Sequence, residues 1–199
     1  MSFFTSLWEN IVATSLIEYL AVFSSIIYVV LAAKRMILCW LFAFIGSALF
    51  VYLCYVGELY IESMLQLFYV AMAIVGWLNW KKSENDQLEI VKWKVNEHLL
   101  NIVISGIVAA VLGYLFDKFT NQANPYVDAF TTCYSLSTTF MVTKKVLGNW
   151  IYWIVIDIVS IYLYAQRDYH LTAVQYGIFT IIAVFGFIAW WNQYKMQTV

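Results

Sequence analysis

The sequence predicts an all-α membrane protein with seven transmembrane helices, built from two parallel three-helix repeats that a linker helix joins. Composition indicates the class: 63% of the 199 residues are hydrophobic and 12% are charged, against ~25% charged in soluble proteins. The apolar segments are long enough to cross a ~30 Å hydrocarbon core as helices, which satisfy their own backbone hydrogen bonds. An internal repeat predicts the arrangement, since residues 18–40 correspond to residues 128–150.

Seven apolar segments account for most of the chain. The only long polar stretch, 81–97, leaves no separate soluble domain, so a single transmembrane domain is predicted for residues 1–199. Within it we assign 12–80 to the first repeat, 98–116 to the linker helix and 127–193 to the second repeat. The predicted spans are 12–33, 36–56, 60–80, 98–116, 127–143, 149–166 and 171–193.

The repeat indicates how the first three helices relate to the last three. With one helix between them, both repeats enter the membrane in the same direction, the 3+1+3 arrangement of SWEET-like transporters. In such proteins the substrate site forms where the halves meet. The offset is 110 residues, and the matched positions include Glu18 with Asp128, Lys34–Arg35 with Lys144–Lys145, Trp40 with Trp150, Gly76 with Gly186, and Trp80 with Trp190.

Basic residues predict the orientation through the positive-inside rule. Of the 11 basic residues, only Lys118 and Arg167 fall in the loops on one side, and all the others fall on the opposite side. We therefore expect the N-terminus outside and the C-terminus in the cytoplasm.

The cysteines and histidines do not favour a metal site or an enzyme. Cys39, Cys54 and Cys133 lie in apolar segments without metal-ligand spacing. His98 and His170 are predicted to lie on opposite sides of the membrane. We expect no catalytic residues, no metal, no cofactor and no nucleic-acid partner.

The sixth predicted span carries the richest set of polar and aromatic side chains. A polar group inside a membrane span is costly and is therefore a candidate for binding. Asp157, near mid-membrane, either meets a ligand or is protonated and locks neighbouring helices together. One ~100° arc of this helix combines indoles with hydrogen-bonding groups, which suits a ligand containing a ring and a sugar. The arc holds Asn149, Trp150, Trp153, Asp157, Ser160 and Tyr164.

Similar stripes run along the third and seventh predicted spans. A lone glutamine in a membrane favours an interhelical hydrogen bond, but two at near-equivalent repeat positions favour a binding site. The tryptophans that end the stripes also suit interfacial anchors. The stripes hold Gln66, Tyr69, Ala73, Gly76, Trp77 and Trp80 in the third span, and Gln175, Phe179, Ala183, Gly186 and Trp190 in the seventh. Candidate aromatic gates are Tyr69, Phe179, Tyr164 and Trp190.

Three further sequence blocks are LYIESMLQ at 59–66, GWLNW at 76–80 and KVLGNWIYW at 145–153. These blocks resemble those of the PnuC-type nicotinamide riboside transporters, and the resemblance runs from Ser15 to Trp191. It implies a bacterial inner-membrane homotrimer that takes up nicotinamide riboside by facilitated diffusion, with cytoplasmic phosphorylation preventing its return. It also implies substrate contacts at Gln66, Trp77, Trp80, Asn149, Trp150, Trp153 and Gln175.

The candidate residues and this ligand agree chemically. A pyridinium ring lies favourably over an indole face, a carboxamide pairs with Asn149, and ribose hydroxyls pair with Asp157 or Gln66. No Lys or Arg lies mid-span, so nicotinamide mononucleotide is predicted to be excluded. Thiamine and riboflavin are the alternative ligands. The alternatives from other classes are a substrate-binding subunit of an ATP-driven importer and a membrane enzyme.

Overall fold

The computed structural model describes residues 15–57, 60–82, 89–120, 124–167 and 169–197, and this part of the chain is helical apart from its connections. Each described helix corresponds to one predicted span. Residues 12–14 of the first predicted span and residues 83–88 of the polar stretch lie outside the described residues. The helices are α1 (Leu16–Ala33), α2 (Cys39–Val56), α3 (Tyr60–Lys82), α4 (Val95–Phe119), α5 (Pro125–Thr143), α6 (Asn149–Gln166) and α7 (His170–Gln197).

Five of the described helices, α1 to α4 and α7, are long and apolar enough to cross a membrane. These five indicate a multi-pass membrane protein. The other two, α5 and α6, have 19 and 18 residues but are more polar. Many of their polar side chains are buried, and hydroxyl groups of α5 bond to its own backbone, as Thr138 Oγ1 does to the Tyr134 carbonyl at 2.6 Å. A helix face that is buried in protein and internally bonded does not need to be apolar, which accounts for their composition.

The chain divides into two compact units. The first unit contains Met1–Glu89 and Phe185–Val199, and the second contains Ile90–Val184. In the first unit α1 packs on α2 and α2 packs on α3. In the second unit the linker helix α4 packs on α5, and α5 packs on α6. The last helix, α7, contributes its first part to the second unit and its remainder to the first.

Helix boundaries recur at the offset of the sequence repeat. α2 starts at Cys39 and α6 at Asn149, and both helices are 18 residues long. α3 and α7 start at Tyr60 and His170, again 110 positions apart. Helix starts are decided by short-range signals, so a repeated sequence repeats them.

The connections that follow α1 and α5 have the same backbone conformation. Arg35 and Lys145 occupy equivalent positions and are both left-handed, with φ of 58° and 50°. Each connection closes its helix with a Schellman pair of hydrogen bonds. The outer bond joins the Met36 N–H to the Leu31 carbonyl at 3.0 Å, and the Val146 N–H to the Met141 carbonyl at 3.0 Å. The paired basic residues therefore sit in matching helix ends, where a positive charge is favourable.

Candidate functional site

The predicted polar face of α6 is largely buried. Asn149 has no exposed surface, and Trp150, Asp157 and Ser160 are each 2% exposed. Trp153 and Tyr164, on the same face, are half-buried. The structure thus brings together on one helix face an amide, a carboxyl, a hydroxyl and three aromatic rings, as the spacing predicts.

The side-chain amide of Asn149 has a hydrogen-bond partner for its nitrogen and none for its oxygen among the described residues. Its Nδ2 donates to the Val146 carbonyl at 2.7 Å, which fixes the side chain at the start of α6. Its Oδ1 is buried and accepts no hydrogen bond within the described ranges. A buried acceptor without a donor costs roughly 1–3 kcal/mol, so this oxygen is suited to a ligand that brings an N–H or O–H group.

Asp157 lies about two turns further along the same face. Its carboxyl is buried, and among the described residues no Lys, Arg or His lies within ion-pair distance of it. A carboxyl in this environment can accept hydrogen bonds from hydroxyl groups or donate one when it is protonated.

The first unit contains a cluster of four aromatic side chains, Tyr28, Trp40, Trp80 and Trp190, which we call the tryptophan cluster. Trp40 contacts Trp80 edge-on with ring centroids 5.4 Å apart, and the Trp80 and Trp190 centroids are 6.3 Å apart. Tyr28 lies 5.9 Å from Trp40. The three indoles are at most 2% exposed. Two of the predicted residues, Trp80 and Trp190, therefore lie in one packed cluster.

In the sequence, Trp40 stands out only as a marker of the repeat, and nothing local indicates its place in this cluster. Its ring lies directly against Gly76, where a Cβ atom would overlap the six-membered part of the indole. Its Nε1 is buried without an acceptor among the residues that the structure describes. The available signal was the repeat itself, which pairs Trp40 with the predicted site residue Trp150.

Trp190, a candidate gate, is bonded to the end of another helix. Its Nε1 lies 3.2 Å from the carbonyl oxygens of both Ala32 and Ala33 and donates to them. Both carbonyls belong to the last turn of α1, and the Ala32 carbonyl also accepts from the Arg35 N–H at 2.9 Å. In this conformation Trp190 fastens α7 to α1, and any movement of its ring must break that contact.

Two other candidate gates are connected through a residue that sequence analysis missed. Tyr164 stacks on Tyr176 with ring centroids 5.4 Å apart and planes 12° from parallel. Tyr176 in turn contacts Phe179 edge-on at 5.9 Å. The sequence signal for Tyr176 was its spacing from Phe179, because residues three apart share a helix face.

The remaining predicted residues belong to α3 and to the first part of α7. Gln66, Tyr69 and Trp77 are half-buried residues of α3 in the first unit, and Gln175 is a half-buried residue of α7 in the second. Each unit therefore carries part of the predicted set.

An ion pair joins the start of α5 to the residue that follows α6. The Arg167 guanidinium donates to the Asp128 carboxylate at 2.6 Å, and both side chains are partly buried. The sequence does not predict this pair, because nothing in the 39-residue separation of Asp128 and Arg167 indicates contact.

Comparison with known proteins identifies the family. The family model described as "Nicotinamide mononucleotide transporter" matches residues 15–192. The chain belongs to this family. Its members are membrane transporters, so the chain is a transporter and not an enzyme.

Curated relatives cover most of the chain and most of their own lengths. The nicotinamide riboside transporter PnuC of Escherichia coli K12 is 24% identical over 205 residues, covering 89% of this chain and 86% of that protein. The nicotinamide riboside transporter PnuC of Neisseria mucosa is 28% identical over 192 residues, covering 89% and 73%.

A solved structure has the same fold. The crystal structure of the vitamin B3 transporter PnuC superposes with a TM-score of 0.76 at 25% identity, covering 98% of this chain and 90% of that chain. The resemblance to the PnuC family, first indicated by three sequence blocks, is confirmed.

Proposed function

We propose that this protein transports nicotinamide riboside across the membrane. The relatives in Escherichia coli and Neisseria mucosa are named for this substrate. The observation on this chain that carries the proposal is the buried α6 face, which carries the unsatisfied amide oxygen of Asn149 together with indole and carboxyl side chains. Nicotinamide riboside offers what that face lacks, because its carboxamide N–H groups and ribose hydroxyls are donors and its pyridinium ring is cationic.

The residues that we propose for binding follow from this chemistry. The indoles receive the pyridinium ring, for roughly 0.5–2 kcal/mol per contact depending on desolvation. Asn149 and the glutamines bond the carboxamide, and Asp157 accepts from ribose hydroxyls. The proposed set is Gln66, Trp77, Trp80, Asn149, Trp150, Trp153, Asp157 and Gln175.

The family description and the curated names disagree on the phosphate, and we favour the unphosphorylated ligand. The family model is described by the mononucleotide, whereas the relatives are named for the riboside. A phosphate monoester carries about −1.5 to −2 charges at neutral pH and needs cationic partners. The chain has no Lys or Arg in the middle of any predicted span, so a desolvated phosphate would lie unpaired.

We propose the 3+1+3 arrangement of seven spans for the whole chain, with the N-terminus outside and the C-terminus in the cytoplasm of a bacterium. Support for the repeat comes from the matching helix starts at an offset of 110 and from the two matching connections. Support for the orientation comes from the concentration of basic residues on one side, with Lys118 and Arg167 on the other.

The proposed mechanism is facilitated diffusion with phosphorylation of the riboside in the cytoplasm, which prevents its return. Tyr69, Phe179, Tyr164 and Trp190 are the proposed gates, and a homotrimer is the proposed assembly. No chain of carboxyl groups crosses the predicted spans, which supports uncoupled transport. Riboside uptake into liposomes that stops at equal concentrations and survives a proton uncoupler is expected. Accumulation against a gradient would contradict the mechanism.

Calorimetry on the purified protein tests the ligand. We expect binding of nicotinamide riboside and none of nicotinamide mononucleotide, thiamine or riboflavin. Trp153→Ala and Gln66→Ala should each weaken riboside binding about ten-fold, the equivalent of one lost contact. Ile158→Ala is the matched control, because Ile158 lies on the same helix with 54% of its surface exposed. Tight binding of thiamine, riboflavin or the mononucleotide in place of the riboside would overturn the assignment.

A further inference from the structure

The segment that leads into the linker helix is attached to the connection between α5 and α6. The Val91 N–H donates to the Lys145 carbonyl at 3.0 Å, and the Leu147 N–H donates to the Val91 carbonyl at 2.8 Å. These two bonds form a parallel bridge between Val91 and Val146. The first turn of α4 is thereby held against the first turn of α6, which carries Asn149.

His98, in the first turn of α4, lies directly on Gly148. A Cβ atom at position 148 would lie 2.5 Å from His98 Cε1 and 3.1 Å from its Nε2. Gly148 itself has a φ of −63°, which any residue adopts. Position 148 is therefore small because the imidazole approaches it, and backbone conformation does not require glycine there.

The same imidazole also contacts the next turn of α6. Its ring stacks on Tyr152 with centroids 5.7 Å apart and planes 26° from parallel, and its Nδ1 lies 3.1 Å from the Tyr152 hydroxyl. Trp93 covers it edge-on at 5.6 Å. His98 therefore touches α6 on both sides of Asn149 and Trp150, at positions 148 and 152.

The first repeat has different side chains at the two positions that correspond to those His98 contacts. The counterparts of Gly148 and Tyr152 are Leu38 and Phe42. Leu38 has a φ of −58°, close to that of Gly148, but it carries a large side chain that is 39% exposed. Phe42 has no hydroxyl group. Of the differences between the two connections, these two make room for an imidazole and bond it.

We propose that His98 is a positioning residue for the substrate. By fixing the first turn of α6 it sets the positions of Asn149, Trp150 and Trp153, which our proposed function assigns to riboside binding. The contacts of this one residue of the unrepeated helix thus distinguish the second connection from its counterpart in the first repeat. The inference rests on the proposed function for the identity of the ligand and for the binding roles of these three residues.

A double-mutant cycle on the full-length protein tests this role through the dissociation constant for nicotinamide riboside. Gly148→Ala should weaken binding about ten-fold, because its methyl group displaces either the imidazole or the α6 turn. His98→Ala should weaken it less, and Gly148→Ala in the His98→Ala background should add nearly nothing. Tyr152→Phe should reproduce most of the His98→Ala loss, since it removes the hydroxyl and keeps the stack. Leu38→Ala, at the repeat-equivalent position, is the matched control and should leave the constant unchanged.

Thermal unfolding of the same variants separates positioning from stability. The positioning role predicts a changed dissociation constant in His98→Ala and Tyr152→Phe with an unfolding midpoint close to that of the wild type. A lowered midpoint with unchanged binding, or additive effects of Gly148→Ala and His98→Ala on binding, would overturn it. A wild-type protein that does not bind the riboside would refute the proposed function itself, whatever the variants do.

Discussion

Gly76→Ala should destabilise the protein, although alanine is the better helix former. An alanine Cβ at position 76 would overlap three carbon atoms of the Trp40 ring, well inside the ~3.5–4.0 Å of a normal carbon contact. The Trp40 ring cannot turn away easily, because two other rings pack against it. The centroids of the Trp80 and Tyr28 rings lie 5.4 Å and 5.9 Å from its own.

The expected magnitude is the difference between two opposing effects. Overpacking a well-filled core costs typically ~1–3 kcal/mol, whereas replacing a helical glycine by alanine returns ~0.5–1 kcal/mol. The net loss therefore lies between about 0 and 2.5 kcal/mol, with a centre of ~1 kcal/mol. For a chain of this length a loss of ~1 kcal/mol lowers the unfolding midpoint by roughly 2–4 °C.

Thermal unfolding of the purified protein in one detergent, followed by tryptophan fluorescence, measures this fall. Gly177→Ala is the matched control, because Gly177 also lies in a helix and a Cβ there meets no atom within 4 Å. Its midpoint should stay level or rise. Adding Trp40→Phe to Gly76→Ala should recover part of the loss, since the smaller ring clears the methyl group. A Gly76→Ala protein as stable as Gly177→Ala would refute the packing argument.

Two further predictions concern contacts that join helices. Trp190→Phe keeps a ring but removes the N–H donor to Ala32 and Ala33, so the unfolding midpoint should fall by an amount equivalent to about 1 kcal/mol; an unchanged midpoint would mean that water replaces the indole without cost. Asp128→Asn and Arg167→Gln should be coupled by roughly 0.2–1 kcal/mol in a double-mutant cycle of unfolding, because their ion pair is partly exposed. That coupling should shrink as salt is added, and a salt-independent coupling would contradict a screened ion pair.

The approximate positions of the helices could be predicted from the sequence, because they depend on the properties of neighbouring residues. Hydropathy and length indicate a span, and the repeat places Cys39 and Asn149 at equivalent helix starts. The polar face of α6 was accessible for the same reason, since residues on one helix share a face at fixed spacing. Helices α5 and α6 are less apolar than the other five described helices, because their polar faces are buried in protein.

Contacts between side chains of different helices could not be predicted in this way. Helical periodicity shows which residues share a face with Trp40, Gly76 or His98 on their own helices. It does not show which other helix covers that face. Trp190 at the end of a span suited an interfacial anchor as well as a gate, and only the folded chain shows that its N–H reaches carbonyls 157 and 158 residues away.

The sequence by itself determined the membrane class, the approximate positions of the helices, the sequence repeat and the chemical character of the α6 face. These properties follow from the composition and order of neighbouring residues, which a short window contains. The tertiary structure decided that Trp40 lies on Gly76, that His98 lies on Gly148, and that Arg167 pairs with Asp128. Such contacts depend on how whole helices pack against one another, and that packing is settled by shape and volume over the folded chain.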